Sequence, residues 1–410
     1  MSTRIRAGID IGTRQIAVAI GEHDAATGTV RALGGIAQTS RAVKNGCIIS
    51  IPDAARDIRD ILWSLENTAG VAAEDIVLGM RGGHFKAIRA TGSVAINRTD
   101  NVIMSEDMQA ALDTARTLRI PQERELFDEM ALSFTLDHQR GVSNPVGLFA
   151  SFLSVDALLI TARSAAVDNA CKALELAGLG NIHSVYSPLP LADAVLTQEE
   201  KESGCLLIDI GAELTSVISY YDEQIWDLME LSDGGDRISK VLVEQLGVTY
   251  KSAESIKQGF HKGATTFSVK SRSNLNSNGG IGTISEEELV GHITYAAQDY
   301  FEGIRSVLQD KDERLFHAPC EVVLTGGGAK LPGITAEAEK AFGVPARVGL
   351  PRLASRSEDL LSDTSLTTAL SLLMVNPEQG QRELKSLPQI ATMKKVFRRL
   401  FHSLNSLKSD

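Results

Sequence analysis

The chain has 410 residues, enough for two or three domains at about 150 residues each. With 43% apolar and 23% charged residues its composition is that of a globular protein, which excludes collagen-like, disordered and disulfide-scaffold classes. Lys and Arg number 41 against 52 Asp and Glu, a net charge of −11, so a global nucleic-acid-binding surface is excluded and only a local basic patch stays open. No uninterrupted apolar run approaches the ~18 residues that span a bilayer. Cys47, Cys171, Cys205 and Cys320 are too scattered for zinc or redox motifs and read as buried free thiols in a reducing cytoplasm. The opening MSTRIRAGIDIG enters a strand pattern at once and leaves no room for a signal peptide.

Strand-like and helix-like segments then alternate, which argues for α/β architecture. Residues 5–20 read as two strands around the turn Asp10-Ile11-Gly12-Thr13-Arg14-Gln15. Residues 53–67 form an amphipathic helix with Ile58, Ile61, Leu62 and Leu65 on one stripe. A short strand, Ile76 to Met80, runs into Arg81-Gly82-Gly83-His84. The texture changes over 84–178, with strands at 94–96 and 157–161 and helices over 105–119 and 165–177, and reads as an inserted module. From 205 the opening pattern returns: CLLIDIGAELTSVISY mirrors RAGIDIGTRQIAVAI. Residues 236–262 read as helical, 268–283 as an exposed loop or hairpin end, and Ser285 with Glu288 caps a long helix over 286–309. The strand EVVLTGGG (321–328) precedes a helix over 331–342, and after Val375 the chain turns polar before a last helical stretch from Thr392.

The repeated strand–Asp-x-Gly–strand hairpin is the most informative internal feature. Such a turn presents backbone N–H groups in a concavity that suits phosphate oxygens, and its Asp can hold Mg²⁺ through water. One such turn is most simply a hairpin; two imply related domains clamping one phosphate chain. Gly326, Gly327 and Gly328 end a buried strand at a helix start, where backbone can lie against a ligand. Ser232-Asp233-Gly234-Gly235-Asp236 is another Gly-rich turn, while Glu254 and Lys257 read by spacing alone as a solvated surface pair.

In this order the motifs resemble the superfamily of actin, hexokinase and the heat-shock-chaperone ATPases. More closely, the chain resembles the bacterial cell-division FtsA family. The resemblance rests on Gly82-Gly83-His84, DHQRGVSNPVGL (137–148), SPLPLADAVLTQEEKESGCLLIDIG (187–211), SDGGDRIS (232–239), SAESIK (252–257) and VVLTGGGAKLPGI (322–334), over about residues 6–374. It implies an actin-like two-lobed α/β fold of duplicated ribonuclease H-like domains, with an inserted FtsA-type subdomain in the first lobe and a C-terminal amphipathic helix. The implied division is 1–83 and 179–200 for the first lobe, 84–178 for the insert, 201–235 and 301–375 for the second lobe, 236–300 for its small subdomain, 376–391 for a linker and 392–408 for the terminal helix.

Carried over residue by residue, the resemblance implies ATP with Mg²⁺ at Asp10, Gly12, Thr13 and Arg14 in the first phosphate loop and at Asp209 and Gly211 in the second. Gly234, Gly235, Glu254 and Lys257 would serve the ribose and base, and Gly326, Gly327 and Gly328 the adenosine, with Asp10 and Asp209 holding Mg²⁺ through water. One departure bears on turnover. Where the superfamily reads D-x-G-G-G-T-x-D, this chain has Asp209-Ile210-Gly211-Ala212-Glu213-Leu214-Thr215-Ser216, which predicts nucleotide binding with slow or absent hydrolysis.

The tail carries a second signal. Met393, Val396, Phe397, Leu400, Phe401, Leu404 and Leu407 share one helical face, and Lys394, Lys395, Arg398, Arg399 and Lys408 occupy the others without an acidic residue between them. A docked terminal helix or a calmodulin-type target fits the pattern too; the resemblance favours a helix lying on an anionic membrane. The expected role is then an ATP-binding scaffold, at most a slow ATPase, that self-assembles on the cytoplasmic face of the inner membrane at the division site. Its partners would be FtsZ, further copies of itself, the anionic membrane and later division proteins, with no nucleic acid. The rival readings are an actin-like adaptor of a pilus or secretion assembly, and a small-molecule kinase with Asp193 as base.

Overall fold

The computed structural model describes residues 3–24, 27–117, 120–261, 266–270, 281–312, 319–375 and 382–383. The first lobe begins with a meander, β1 (Thr3–Ile11), β2 (Gln15–Asp24) and β3 (Val30–Thr39), followed by the small hairpin β4 (Val43–Lys44) and β5 (Cys47–Ile48). Helix α1 (Ile51–Ala69) has Pro52 in its first turn and closes on Gly70 in the left-handed region, so both ends carry the expected signals. It buries Ile58, Ile61, Leu62 and Leu65 as the periodicity predicts. β6 (Asp75–Met80) pairs in parallel with β1.

The insert follows. β7 (Phe85–Ala95), α2 (Ser105–Ala115), β8 (Arg124–Leu136), β9 (Gln139–Val142) and β10 (Phe152–Arg163) build a four-stranded sheet in the order β7-β10-β8-β9. Its own core runs from Ala90 to Leu159 and includes Leu153, Val155 and Phe134. α3 (Ser164–Leu176), expected within the insert, instead sends Val167, Ala170 and Leu174 into the first-lobe core beside α1. β11 (Ile182–Tyr186) completes the parallel edge next to β6, and α4 (Pro188–Val195) and α5 (Gln198–Ser203) lead across to the second lobe.

The second lobe repeats the plan. β12 (Cys205–Ile210), β13 (Thr215–Tyr221) and β14 (Gln224–Leu231) form an antiparallel meander, with β17 (Glu321–Thr325) and β18 (Ala346–Val348) added in parallel. The order β14-β13-β12-β17-β18 matches β3-β2-β1-β6-β11 of the first lobe strand for strand. Both central strands are buried without a break over Arg6 to Ile11 and Cys205 to Ile210, as a sheet covered on two faces requires. Each carries a carboxylate one residue before its end, Asp10 and Asp209.

Between β14 and β17 lie α6 (Asp236–Leu246), α7 (Tyr250–His261), the antiparallel pair β15 (Thr266–Lys270) and β16 (Ile281–Ser285), and α8 (Glu286–Lys311). The helix expected over 236–262 is thus two, parted at Gly247 in the left-handed region. Ser285 caps α8 by accepting from the Glu288 N–H at 3.3 Å. Tyr300 and Phe301 of α8 anchor the second core.

The end of the chain corrects the expected division. Residues 354–375 were expected in the second lobe, but β19 (Ala354–Ser355) joins the first-lobe sheet beside β3. Leu366, Ala369, Leu370 and Leu373 pack on Ala17, Ala19 and Ala32, because these alanines leave a shallow face that only a returning apolar segment fills. Within the expected linker, β20 (Arg382–Glu383) pairs with β11. The segment 393–408, with every residue of the expected membrane helix, lies outside the described residues. Among the described residues no helix is long and apolar enough to cross a membrane. Cys320 is exposed, unlike the buried thiol expected there.

Candidate functional site

The duplicated meanders place two identical turns face to face. In the first, the Gly12 N–H donates to the Gln15 carbonyl at 3.0 Å; in the second, the Gly211 N–H donates to the Leu214 carbonyl at 2.9 Å. A third turn enters after β17, where Gly326 takes φ +82 and leads into the short 3-10 turn Gly327–Lys330. A Cβ on Gly326 would stand 2.2 Å from Asp209 Oδ1, and one on Gly328 would stand 2.2 Å from Ile210 Cγ2. Gly327 has open space before it, toward the cleft.

These turns line one cavity of about 410 Å³ between the lobes, a size suited to a nucleotide-sized ligand. Of the residues expected there, Asp10, Gly12, Thr13, Arg14, Gly211, Gly235, Glu254, Lys257, Gly326, Gly327 and Gly328 line it. Asp209 and Gly234 do not. Gly234 is held beneath the Gly211-Ala212 turn, whose carbonyls accept from the Gly235 and Asp236 N–H groups at 2.9 and 2.8 Å.

Glu254 and Lys257 are not the solvated pair that spacing alone suggested. Lys257 Nζ reaches Glu254 at 3.0 Å and donates to the Gly235 carbonyl at 3.0 Å and Ser239 Oγ at 2.8 Å, and both side chains are mostly buried. Burial works against ionised Glu254, but Lys257, the Ser239 hydroxyl and Arg14 outweigh it and lower its pKa. Arg14 leaves the first turn and crosses the cleft to Glu254 at 2.9 Å, Asp236 at 2.8 Å and the Tyr250 hydroxyl at 2.5 Å. The guanidinium expected on phosphate therefore ties the two lobes together at the cavity wall.

Glu213 does not line the cavity. Its carboxylate accepts from the Asn45 N–H of the β4–β5 hairpin at 2.9 Å, a further tie between lobes.

The sequence reading missed Arg81. It follows β6, lines the cavity, and is ion-paired to Asp209 across the lobes. Its Nη1 also lies 3.5 Å from Ser216 Oγ, and its Nη2 lies 3.1 Å from where a Gly211 Cβ would be. Ser216 in turn donates to both oxygens of Glu230 at 3.0 Å, and the Tyr186 hydroxyl donates to Glu230 at 2.6 Å. Burial opposes the Arg81 charge, but Asp209, Asp10 and Glu230 together more than restore it and raise its pKa. Burial pushes Asp10 up to about 6, against the pull of Arg81. The only sequence signal for this group was its place, a basic residue between a buried strand and two glycines.

This arrangement does not fit Mg²⁺ held between Asp10 and Asp209. A hard dication needs several oxygen ligands in near-octahedral order, and Asp209 is bound to a guanidinium behind Gly326. Among the described residues no group of three or more acidic, His or Cys side chains is disposed to hold a metal. The kinase reading loses its base as well, since Asp193 is mostly exposed and bonded to Lys201 at 2.6 Å.

Two lobes of one topology, closed over a cleft lined by paired hairpin turns and a third glycine turn, define an actin-like protein. The SHS2 domain inserted in FtsA matches residues 82–161, and the family described as cell division protein FtsA matches residues 206–371. The chain belongs to the FtsA family. FtsA of Neisseria meningitidis is 29% identical over 371 residues, covering 89% of this chain and 88% of that protein. FtsA of Escherichia coli is 23% identical and covers 90% of each. Among solved structures, a chain of the PilM-PilN type IV pilus biogenesis complex shares the fold with a TM-score of 0.62 at 18% identity, over 90% of this chain and 97% of that one. The ethanolamine utilization protein EutJ of Carboxydothermus hydrogenoformans does so with a TM-score of 0.53 at 14% identity, over 92% and 91%.

Proposed function

We propose that this chain binds ATP in the interlobe cleft, assembles with copies of itself on the cytoplasmic face of the inner membrane, and holds FtsZ there at the division site while later division proteins join. One observation carries the reading: the two equivalent hairpin turns and the Gly326–Gly328 turn line a single cavity of about 410 Å³. The turns that Gly12 and Gly211 open would face phosphate, Glu254 and Lys257 the ribose and base, and Gly326 to Gly328 the adenosine. ATP supplies phosphate charge that both lobes contact, so it favours one closure of the cleft. The tail residues Met393 to Leu407 supply the membrane contact, and Ser216 in place of an acid keeps hydrolysis slow.

Liposome co-sedimentation with ATP and purified FtsZ tests it, comparing the full chain with one ending at Pro388. FtsZ is expected in the pellet only with the full chain. If both versions leave FtsZ in the supernatant, the division scaffold reading fails and an adaptor of another membrane assembly takes its place.

A further inference from the structure

We propose that Arg81 is the resident cation of the cleft, taking the charge-neutralising place of a divalent metal beside the nucleotide phosphates, so that this chain binds nucleotide without a divalent cation. The inference rests on the nucleotide reading above and adds to it the charge state and cofactor need of the ligand.

The observations converge on one point in the fold. Asp10 and Asp209 stand at matched places in the two lobes, each one residue from the end of a central strand. Asp10 lines the cavity and Asp209 lies buried just behind Gly326, and two such carboxylates beside a phosphate chain need a positive charge among them. Arg81 supplies it: its side chain is 9% exposed, paired to Asp209, and turned with Nη2 against the Gly211 turn. Register deepens the argument. Asp209 sits opposite Ser216 on β13, so the one hydroxyl at that position admits the guanidinium where an acid would add a third ligand for a metal. Among the described residues the buried Oδ1 of Asp10 and Oδ1 of Asp209 have no hydrogen-bond partner, so the charge of the two carboxylates is left to Arg81 to balance. An arginine at this place stays charged at any accessible pH and offers a planar fork of donors that suits phosphate oxygens. It carries no bound water to activate, which accords with a nucleotide that is held rather than turned over.

The test is equilibrium titration of the full chain with the fluorescent ATP analogue mant-ATP, at constant ionic strength, with magnesium and with EDTA. The wild-type affinity is expected to differ by less than about threefold between the two buffers, under the value of one charge-assisted hydrogen bond. Arg81→Ala is expected to lose about tenfold or more in EDTA, with part of the loss recovered by magnesium, and Arg81→Lys to lose less. Thermal melts of both variants report whether each is folded, and the wild-type comparison stands without them. Wild-type binding that requires magnesium overturns the inference and keeps the nucleotide site. Absence of binding in both buffers overturns the nucleotide site and the inference with it. An Arg81→Ala protein that melts like wild type and binds equally well in EDTA also overturns the inference.

Discussion

Glu230 shows how a single residue on the cleft floor links charge to stability. It is half-buried on β14, held by Tyr186 and Ser216, and faces Arg81 and Asp209. Burial raises its pKa to about 7, against the pull of Arg81 and the two hydroxyls, while Asp209 adds to the rise. In the unfolded chain it titrates near ~4.3. Between these values the folded protein binds the extra proton, so its contribution is fully present below the unfolded value and is lost as pH rises through about 7. Glu230→Gln cannot ionise and keeps an oxygen for both hydroxyls. Its melting temperature is expected to fall less than wild type between pH 5 and pH 8, a relative gain of about 1 kcal/mol at the upper end after allowing for partial exposure. Parallel profiles would remove Glu230 from the titrating set; Asp10 and Asp128, each pushed up to about 6 by burial, contribute to the slope that stays. Neither Glu230 nor Arg81 was legible in the sequence as a site residue. Arg81 meets Asp209 from 128 positions away, and no local spacing announces such a contact. Glu254 and Lys257 failed in the opposite way: helical spacing described a surface pair, and the cover came from Ser239 and Arg14 on other elements.

At the scale of elements, the hairpins were legible because apolar runs bounded by Asp-x-Gly state both strand and turn, and α1 because its stripe and caps agree. Packing across elements was not. The helix Ser164–Leu176 has a stripe that suits either the insert or the first lobe, and only the three-dimensional position of α1 decides between them. Gly92 on β7 is a second case. A Cβ there would stand 2.0 Å from the Ala111 carbonyl oxygen and 2.4 Å from the Ala115 N, so α2 lies with its backbone directly on the strand. A glycine inside a strand weakens it unless, as here, another backbone approaches closely. Gly92→Ala is expected to push α2 off the insert sheet at a cost of about 1–3 kcal/mol, as overpacking does. Hydrogen exchange should then quicken in the α2 amides and remain unchanged in β12 and β17 of the second lobe. Unchanged exchange in α2 would mean that the contact relaxes without cost.

At the scale of the whole molecule, the lobes are tied across the cleft by Arg14, by Glu213 with Asn45, and by Arg81 with Asp209. The body so closed carries a strong negative charge: the chain is −11 overall and −16 without the five cations between 393 and 408. An anionic membrane therefore repels the body as a whole, and on the proposed reading the attraction comes from the tail. Each Lys or Arg near such a surface contributes about 1 kcal/mol, and partial burial of each large apolar residue adds on the order of 1 kcal/mol. Ordering the tail consumes part of this, so on the proposed reading one copy is expected to bind weakly and many copies on one filament firmly. Exchanging Lys394, Lys395, Arg398 and Arg399 together for Gln removes about 4 kcal/mol of attraction, a loss of roughly a thousandfold in vesicle affinity. Wild-type binding should also weaken as salt shortens the screening length below ~8 Å, and should fall by a similarly large factor on vesicles of neutral lipid. Equal binding to neutral and anionic vesicles, or a fourfold variant that sediments like wild type, would show that the tail does not carry the membrane contact through its charge.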